Sequence, residues 1–125
     1  MIHETIGTNE WEWAGKPYTA IKEIGQRDGS VFVVPVGSVE QHGDHLPVIT
    51  DTLLVDAVVH GGAESLRSDV PLLVTPPIWS GFSPHHLSLG GTLSLEFEHL
   101  RLILEDVGQT GLANGFDAVC FVNGH

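Results

Sequence analysis

The densest chemistry in the sequence lies in Gly37-Ser-Val-Glu-Gln-His-Gly-Asp-His-Leu-Pro47, followed by Thr50-Asp51. In extended backbone Glu40 and His42 project to the same side, because side chains alternate with a period of two. A carboxylate and an imidazole converging in this way can hold a divalent cation. Asp51 re-enters at a helix start, where its two oxygens could bridge two ions. His125 closes the sequence after a third apolar run and can reach the same end of a sheet. Nitrogen and oxygen donors without cysteine suit Zn²⁺ or Mn²⁺. Each residue alone has a plainer reading: Asp51 as a helix N-cap, His42 as a solvated loop residue, Glu40 as a surface charge. Together, at strand ends of one sheet, they favour a metal site. Two cations sharing Asp51 would lower the pKa of a water towards neutrality and could polarise a carbonyl. A serine hydrolase finds no G-x-S-x-G string, since Gly81-Phe-Ser83 lacks the closing glycine.

Three apolar runs must position these groups: Val31–Val36, Pro71–Thr75 and Ala118–Val122. The first is almost wholly apolar, as a strand buried on both faces should be. Helical patterns separate the runs. Residues 50–67 open with the N-cap types Thr50 and Asp51 and place Leu53, Leu54, Ala57, Val58 and Leu66 on one side. Residues 94–112 open at Ser94 and carry Leu100, Ile103, Leu104 and Val107 at helical spacing, with Gly115 as a stop. A weaker helix covers about 17–26. The alternation predicts an α/β fold with a mostly parallel sheet in one domain over residues 1–125. Trp11 and Trp13 are expected to pack on the sheet edge. The sequence stops on the first turn after a core strand, where a covering helix would normally follow. It therefore reads as the N-terminal part of something longer, or as one piece of a cleaved or split protein, with an incomplete sheet.

Composition sets the outer bounds. The chain has 125 residues, 42% of them apolar, which suits one packed domain. No apolar run reaches the ~18 residues of a membrane span. The opening MIHETIGTNEWEWAGK lacks a basic start followed by an apolar segment, so the cytoplasm is the expected compartment. Cys120 is the single cysteine, which excludes a disulfide scaffold. Sixteen acidic against five basic residues give a net charge of −11, a surface that repels nucleic acid and anionic lipid. Low lysine with dispersed acid also fits a high-salt, halophilic cytoplasm. Eight histidines are His3, His42, His45, His60, His85, His86, His99 and His125, and most fall in expected loops.

The EQHG-x-HLP-x₃-TD string, with Asn123-Gly-His125 at the end, closely resembles the creatininase family of amidohydrolases. The resemblance runs from about residue 28 onward, with Gly81-Phe-Ser-Pro-His-His86 and Gly91-Thr-Leu-Ser-Leu95 as further landmarks. It implies a three-layer α/β/α sandwich and a site of two divalent metal ions, zinc or manganese. By similarity Glu40 and His125 bind one ion, His42 binds the second, and Asp51 bridges both. Ser83 and His86 fall near substrate-binding positions. The second ion's remaining carboxylate normally lies two residues past the histidine matching His125. The family also implies a small amide substrate, such as creatinine converted to creatine, and a homo-oligomer of hexameric type. Relatives deformylate a pyrimidine intermediate or cleave a small peptide in cofactor maturation. A metal-binding or scaffold half that completes its site with a second chain is the alternative. Leu89-Gly90-Gly91 replaces the commoner Phe-Pro-Gly, a looser backbone.

Overall fold

A computed structural model describes residues 9–125, so His3 lies outside the described residues. The elements run α1 (Tyr18–Gly25), β1 (Val31–Val36), α2 (Thr50–Leu66), β2 (Leu72–Val74), a 3₁₀ turn (Pro84–Leu89), α3 (Phe97–Leu112) and β3 (Ala118–Asn123). The three strands form a parallel sheet in the order β2-β1-β3. Val31 is aligned with Leu72 on one side and Ala118 on the other. Among the described residues no helix is long and apolar enough to cross a membrane.

β1 is central, and its side chains feed two cores. Phe32, Val34 and Val36 join Ile21 of α1, Leu73 and Phe116, with Leu104 and Val107 of α3 packed against them. Val31 and Val33 point the other way, onto Val55, Val59 and Ala63 of α2 with Leu72 and Val74. Helices thus cover both faces, which is the expected three-layer arrangement. Trp13 stacks on Phe116 and tilts against Phe32, while Trp11 packs on the α2 side. Both tryptophans belong to the packing, as the sequence suggested.

Pro35 sits inside this central strand, where a missing N–H normally breaks a ladder. The Pro35 carbonyl accepts from Ile78 N–H, so its nitrogen faces the β2 side. The β2 ladder has already ended at Val74, so no donor is lost there.

Two expectations are corrected. The side of α2 that meets the sheet is Thr52, Val55, Val59 and Ala63, whereas Leu54 and Val58 are 61% and 68% exposed. Leu53 and Leu66 are exposed too. Apolar residues occupy most of this helix's circumference, so apolar spacing alone did not select the inner stripe. α3 begins at Phe97 rather than Ser94. Ser94 Oγ accepts from Ser83 N–H, and Leu95 N–H donates to the Gly81 carbonyl, which holds this segment against a loop instead of in a helix.

β3 is the more open edge. Phe121 is 38% exposed and Cys120 is exposed, and the strand pairs only with β1 among the described residues.

Candidate metal centre

The loop after β1 and the end of β3 meet at the carboxyl edge of the sheet, where open α/β sheets build their sites. The Thr52 hydroxyl lies 3.0 Å from the Ser38 carbonyl and accepts from Ser38 N–H, which seats the start of α2 on this loop. Asp51 is therefore held in the first turn of α2. The cap position is Ile49, with no side-chain cap, so the plainer reading of Asp51 as an N-cap does not hold. Its carboxylate turns inward instead. On the β3 side, Gly124 N–H donates to the Val36 carbonyl and extends the ladder. Asn123 then brackets His125, accepting from its N–H and donating to its carbonyl.

Glu40, His42 and Asp51 bring their ligating atoms within 4.8 Å of one another. His42 Nε2 lies 3.2 Å from Asp51 Oδ1, and His125 Nδ1 lies 3.3 Å from Glu40 Oε1 and 3.4 Å from Asp51 Oδ2. The structure thus gathers the four residues that the sequence singled out.

The tautomers of both histidines are set by backbone carbonyls, which can only accept. His42 Nδ1–H donates to the Glu40 carbonyl at 3.0 Å, leaving the Nε2 lone pair facing Asp51. His125 Nε2–H donates to the Phe82 carbonyl at 3.1 Å, leaving the Nδ1 lone pair facing Glu40 and Asp51. A lone pair aimed at a carboxylate oxygen is repulsive unless a proton or a metal cation lies between them. Ligands of one tetrahedral ion at ~2.0–2.2 Å sit about 3.3–3.6 Å apart, close to these spacings. Glu40 is 5% exposed, and its Oε2 has no hydrogen-bond partner among the described residues. Oε1 of this buried carboxylate is the oxygen that faces His125, whereas Oε2 points towards His86. Histidines oriented through their other nitrogen by a carbonyl are the common pattern at metal centres.

The surroundings shift three of these groups. Burial pushes the Glu40 carboxyl up, but the polar Asp51 and Ser83 side chains and the neighbouring His125 and His86 outweigh it and hold the group below its usual value. Asp51 goes the other way: burial and then Glu40 beside it raise its carboxyl. His42 is raised, first by its bond to the Glu40 carbonyl and then by Asp51.

Ser83 is fully buried, and its hydroxyl lies 2.9 Å from Ser38 Oγ and 3.0 Å from His125 Nε2. It stands behind His125, a position that supports the ring rather than facing open space. His86 Nε2 lies 3.5 Å from Glu40 Oε2, and its Nδ1 meets the Gln41 side-chain amide at 2.9 Å. Sequence reasoning gave no role to Ser38, Gln41 or His85. Gln41 was signalled only by its place between Glu40 and His42. Ser83→Ala is expected to weaken Zn²⁺ binding ~10-fold or more, because His125 loses a partner. It should also cost about 1–3 kcal/mol of stability by stranding Ser38 Oγ. Zn²⁺ titration and thermal melting of the two proteins check both effects.

Carboxylates and imidazoles converging on the carboxyl edge of a parallel α/β sheet define a site of the kind that can hold a divalent cation. The chain belongs to the creatininase family: the family model, described as creatinine amidohydrolase, matches residues 17–125. It is 40% identical over 99 residues to the mycofactocin precursor peptide peptidase of Mycobacterium ulcerans, covering 75% of this chain and 39% of that protein. It is 32% identical over 129 residues to the creatinine amidohydrolase of Pseudomonas putida, covering 99% of this chain and 46% of the relative. A solved creatininase described as the Mn form superposes with a TM-score of 0.84 at 25% identity, over 94% of this chain and 46% of that one. A creatininase variant described as Zn–Zn type gives the same TM-score, identity and coverage. The chain therefore spans less than half the length of these relatives.

Proposed function

We propose that this chain forms the metal-holding wall of a two-metal amidohydrolase acting on a small amide C–N bond. The observation that carries the reading is the pair of carbonyl-fixed imidazoles aimed at Asp51 and Glu40. Glu40, Asp51 and His125 would hold one divalent ion, and His42 with Asp51 a second, zinc or manganese. Bound there, the ions supply Lewis acidity that polarises a carbonyl and eases deprotonation of water. The chain's own residues orient and exclude: Phe82 and Ser83 fix His125, Glu40's carbonyl fixes His42, and burial keeps bulk water from Glu40.

A peptide amide is the favoured substrate, because four relatives at 38–40% identity carry the name mycofactocin precursor peptide peptidase. Creatinine is the runner-up, supported by the more distant Pseudomonas relative. Cytoplasmic location and a homo-oligomer complete the proposal. The metal-loaded protein is expected to hydrolyse that precursor peptide faster than it opens the creatinine ring to creatine, and to lose turnover in His42→Ala. The reverse preference selects creatinine. Turnover surviving both His42→Ala and chelation overturns the metal mechanism.

The open face of β3 favours a second reading, in which the chain holds metal but completes its site only when another segment covers that strand. Metal binding without turnover on any amide supports it.

A further inference from the structure

We propose an additional divalent-cation site, of the zinc type, built from Glu40 Oε2, His85 and His86. It would lie on the opposite oxygen of Glu40 from the one facing His125. Ligating atoms of these three residues fall within 4.8 Å of one another. His86 Nε2 is 3.5 Å from Glu40 Oε2, the spacing of two ligands on one tetrahedral ion (about 3.3–3.6 Å). The His85 and His86 ring centroids are 4.1 Å apart, so the second imidazole stands beside the first. The second observation is that oxygen itself. Glu40 is 5% exposed, and Oε2 has no hydrogen-bond partner among the described residues. Two imidazoles and one carboxylate suit Zn²⁺, with a fourth position left for water, and do not suit Mg²⁺ or Ca²⁺.

One rearrangement is required. Gln41 now places its amide nitrogen against His86 Nδ1 and its oxygen on Gly43 N–H at 3.1 Å. A cation on Nε2 needs the proton on Nδ1, so Gln41 must turn its oxygen to that nitrogen. The turn replaces the two present bonds with one from His86 Nδ1–H to Gln41 Oε1 and leaves the exposed Gly43 N–H to water. Gln41 thereby becomes the residue that sets whether His86 can ligate.

The inference shares Glu40 with the proposed hydrolase site, so its test must separate the two. Zn²⁺ is titrated into the full chain against a chromophoric chelator, and equivalents are counted for each variant, with folding checked by circular dichroism. The double variant His85→Ala/His86→Ala is expected to hold one equivalent fewer than the parent chain, while His42→Ala retains that equivalent. Gln41→Glu, which accepts from Nδ1 without turning, is expected to tighten the same equivalent about 10-fold or more. The double variant keeping the parent's stoichiometry and affinities overturns the site. So does Gln41→Glu leaving every affinity unchanged, an arm that stands if the double variant fails to fold. Failure of the hydrolase reading is a different pattern: His42→Ala and His125→Ala leave all equivalents in place.

Discussion

Asp51→Asn is expected to move the metal-free and metal-loaded proteins in opposite directions. In the metal-free protein Asp51 is a half-buried carboxylate beside Glu40, and both partial burial and that neighbour disfavour its ionised form. A group whose folded pKa is raised binds protons more readily in the fold than in the unfolded chain, so the fold gains stability as pH falls through that value. At neutral pH the Asp51 charge therefore opposes folding, and neutral asparagine removes that opposition. His42 adds to the same slope. Its raised pKa gives stability that is present in full below about 6.5, its unfolded value, and lost as pH rises through the folded value. The metal-free protein should melt higher at mildly acidic than at mildly alkaline pH, against the opposing contribution of Glu40, whose lowered pKa acts only at more acid values. Binding a cation reverses the slope, because histidine must be neutral and the carboxylates ionised to ligate. Asp51→Asn should weaken Zn²⁺ binding by more than the ~10–100-fold that loss of a mere supporting group costs. Melting curves with chelator and with excess Zn²⁺, at pH 6 and pH 8, measure all four quantities. A variant that melts below the parent in chelator would remove the account of Asp51 as a strained carboxylate held for metal.

Much of this centre was legible in the sequence, for a physical reason. Glu40, His42 and Asp51 lie in one short loop and the helix it feeds, so their convergence is a local matter of chain direction. His125 is far away in sequence, yet it ends a strand whose register against β1 is set by an uninterrupted apolar run. The strands themselves were visible because β1 is buried on both faces and must be apolar throughout. What escaped were features that depend on which of several adequate surfaces wins. Leu53, Leu54 and Val58 are as apolar as Val55 and Val59, and only the docking of Thr52 on Ser38 decides which stripe faces in. Ser94 is a good N-cap type, but its hydroxyl is taken by Ser83 N–H across a loop. The approach of His86 to Glu40 depends on the Pro84–Leu89 turn being tied back through Thr92, whose hydroxyl donates to the His86 carbonyl and accepts from Gln41 N–H. No periodicity encodes such a tie.

The same exchange of glycine for alanine is expected to act with opposite signs at two positions, one packed against the start of α2 and one within it. At Gly37 an added Cβ would lie 2.2 Å from Thr52 Oγ1 and 2.6 Å from Thr52 Cα. The second contact is backbone in the first turn of α2, so no side-chain rotation relieves it. The start of the helix must retreat from β1 by about 1 Å to restore ordinary carbon–carbon contact. That movement breaks the seat of Thr52 on Ser38 and carries Asp51 away from His42 and His125. Gly37→Ala should therefore destabilise the fold by about 1–3 kcal/mol or more, as overpacking does. It should also cost metal affinity, since a displacement of ~1 Å at a reacting centre commonly costs 10²-fold in function. Gly61 lies in the exposed middle of the same helix, and an added Cβ there meets nothing within 4 Å. Gly61→Ala should stabilise by roughly 0.5–1 kcal/mol through lost freedom of the unfolded chain, with metal binding unchanged. Denaturant melts and Zn²⁺ titrations of the two variants side by side read both effects. If Gly37→Ala binds Zn²⁺ as tightly as Gly61→Ala, then Asp51 does not owe its position to the seat of α2 on β1, and another restraint must hold it.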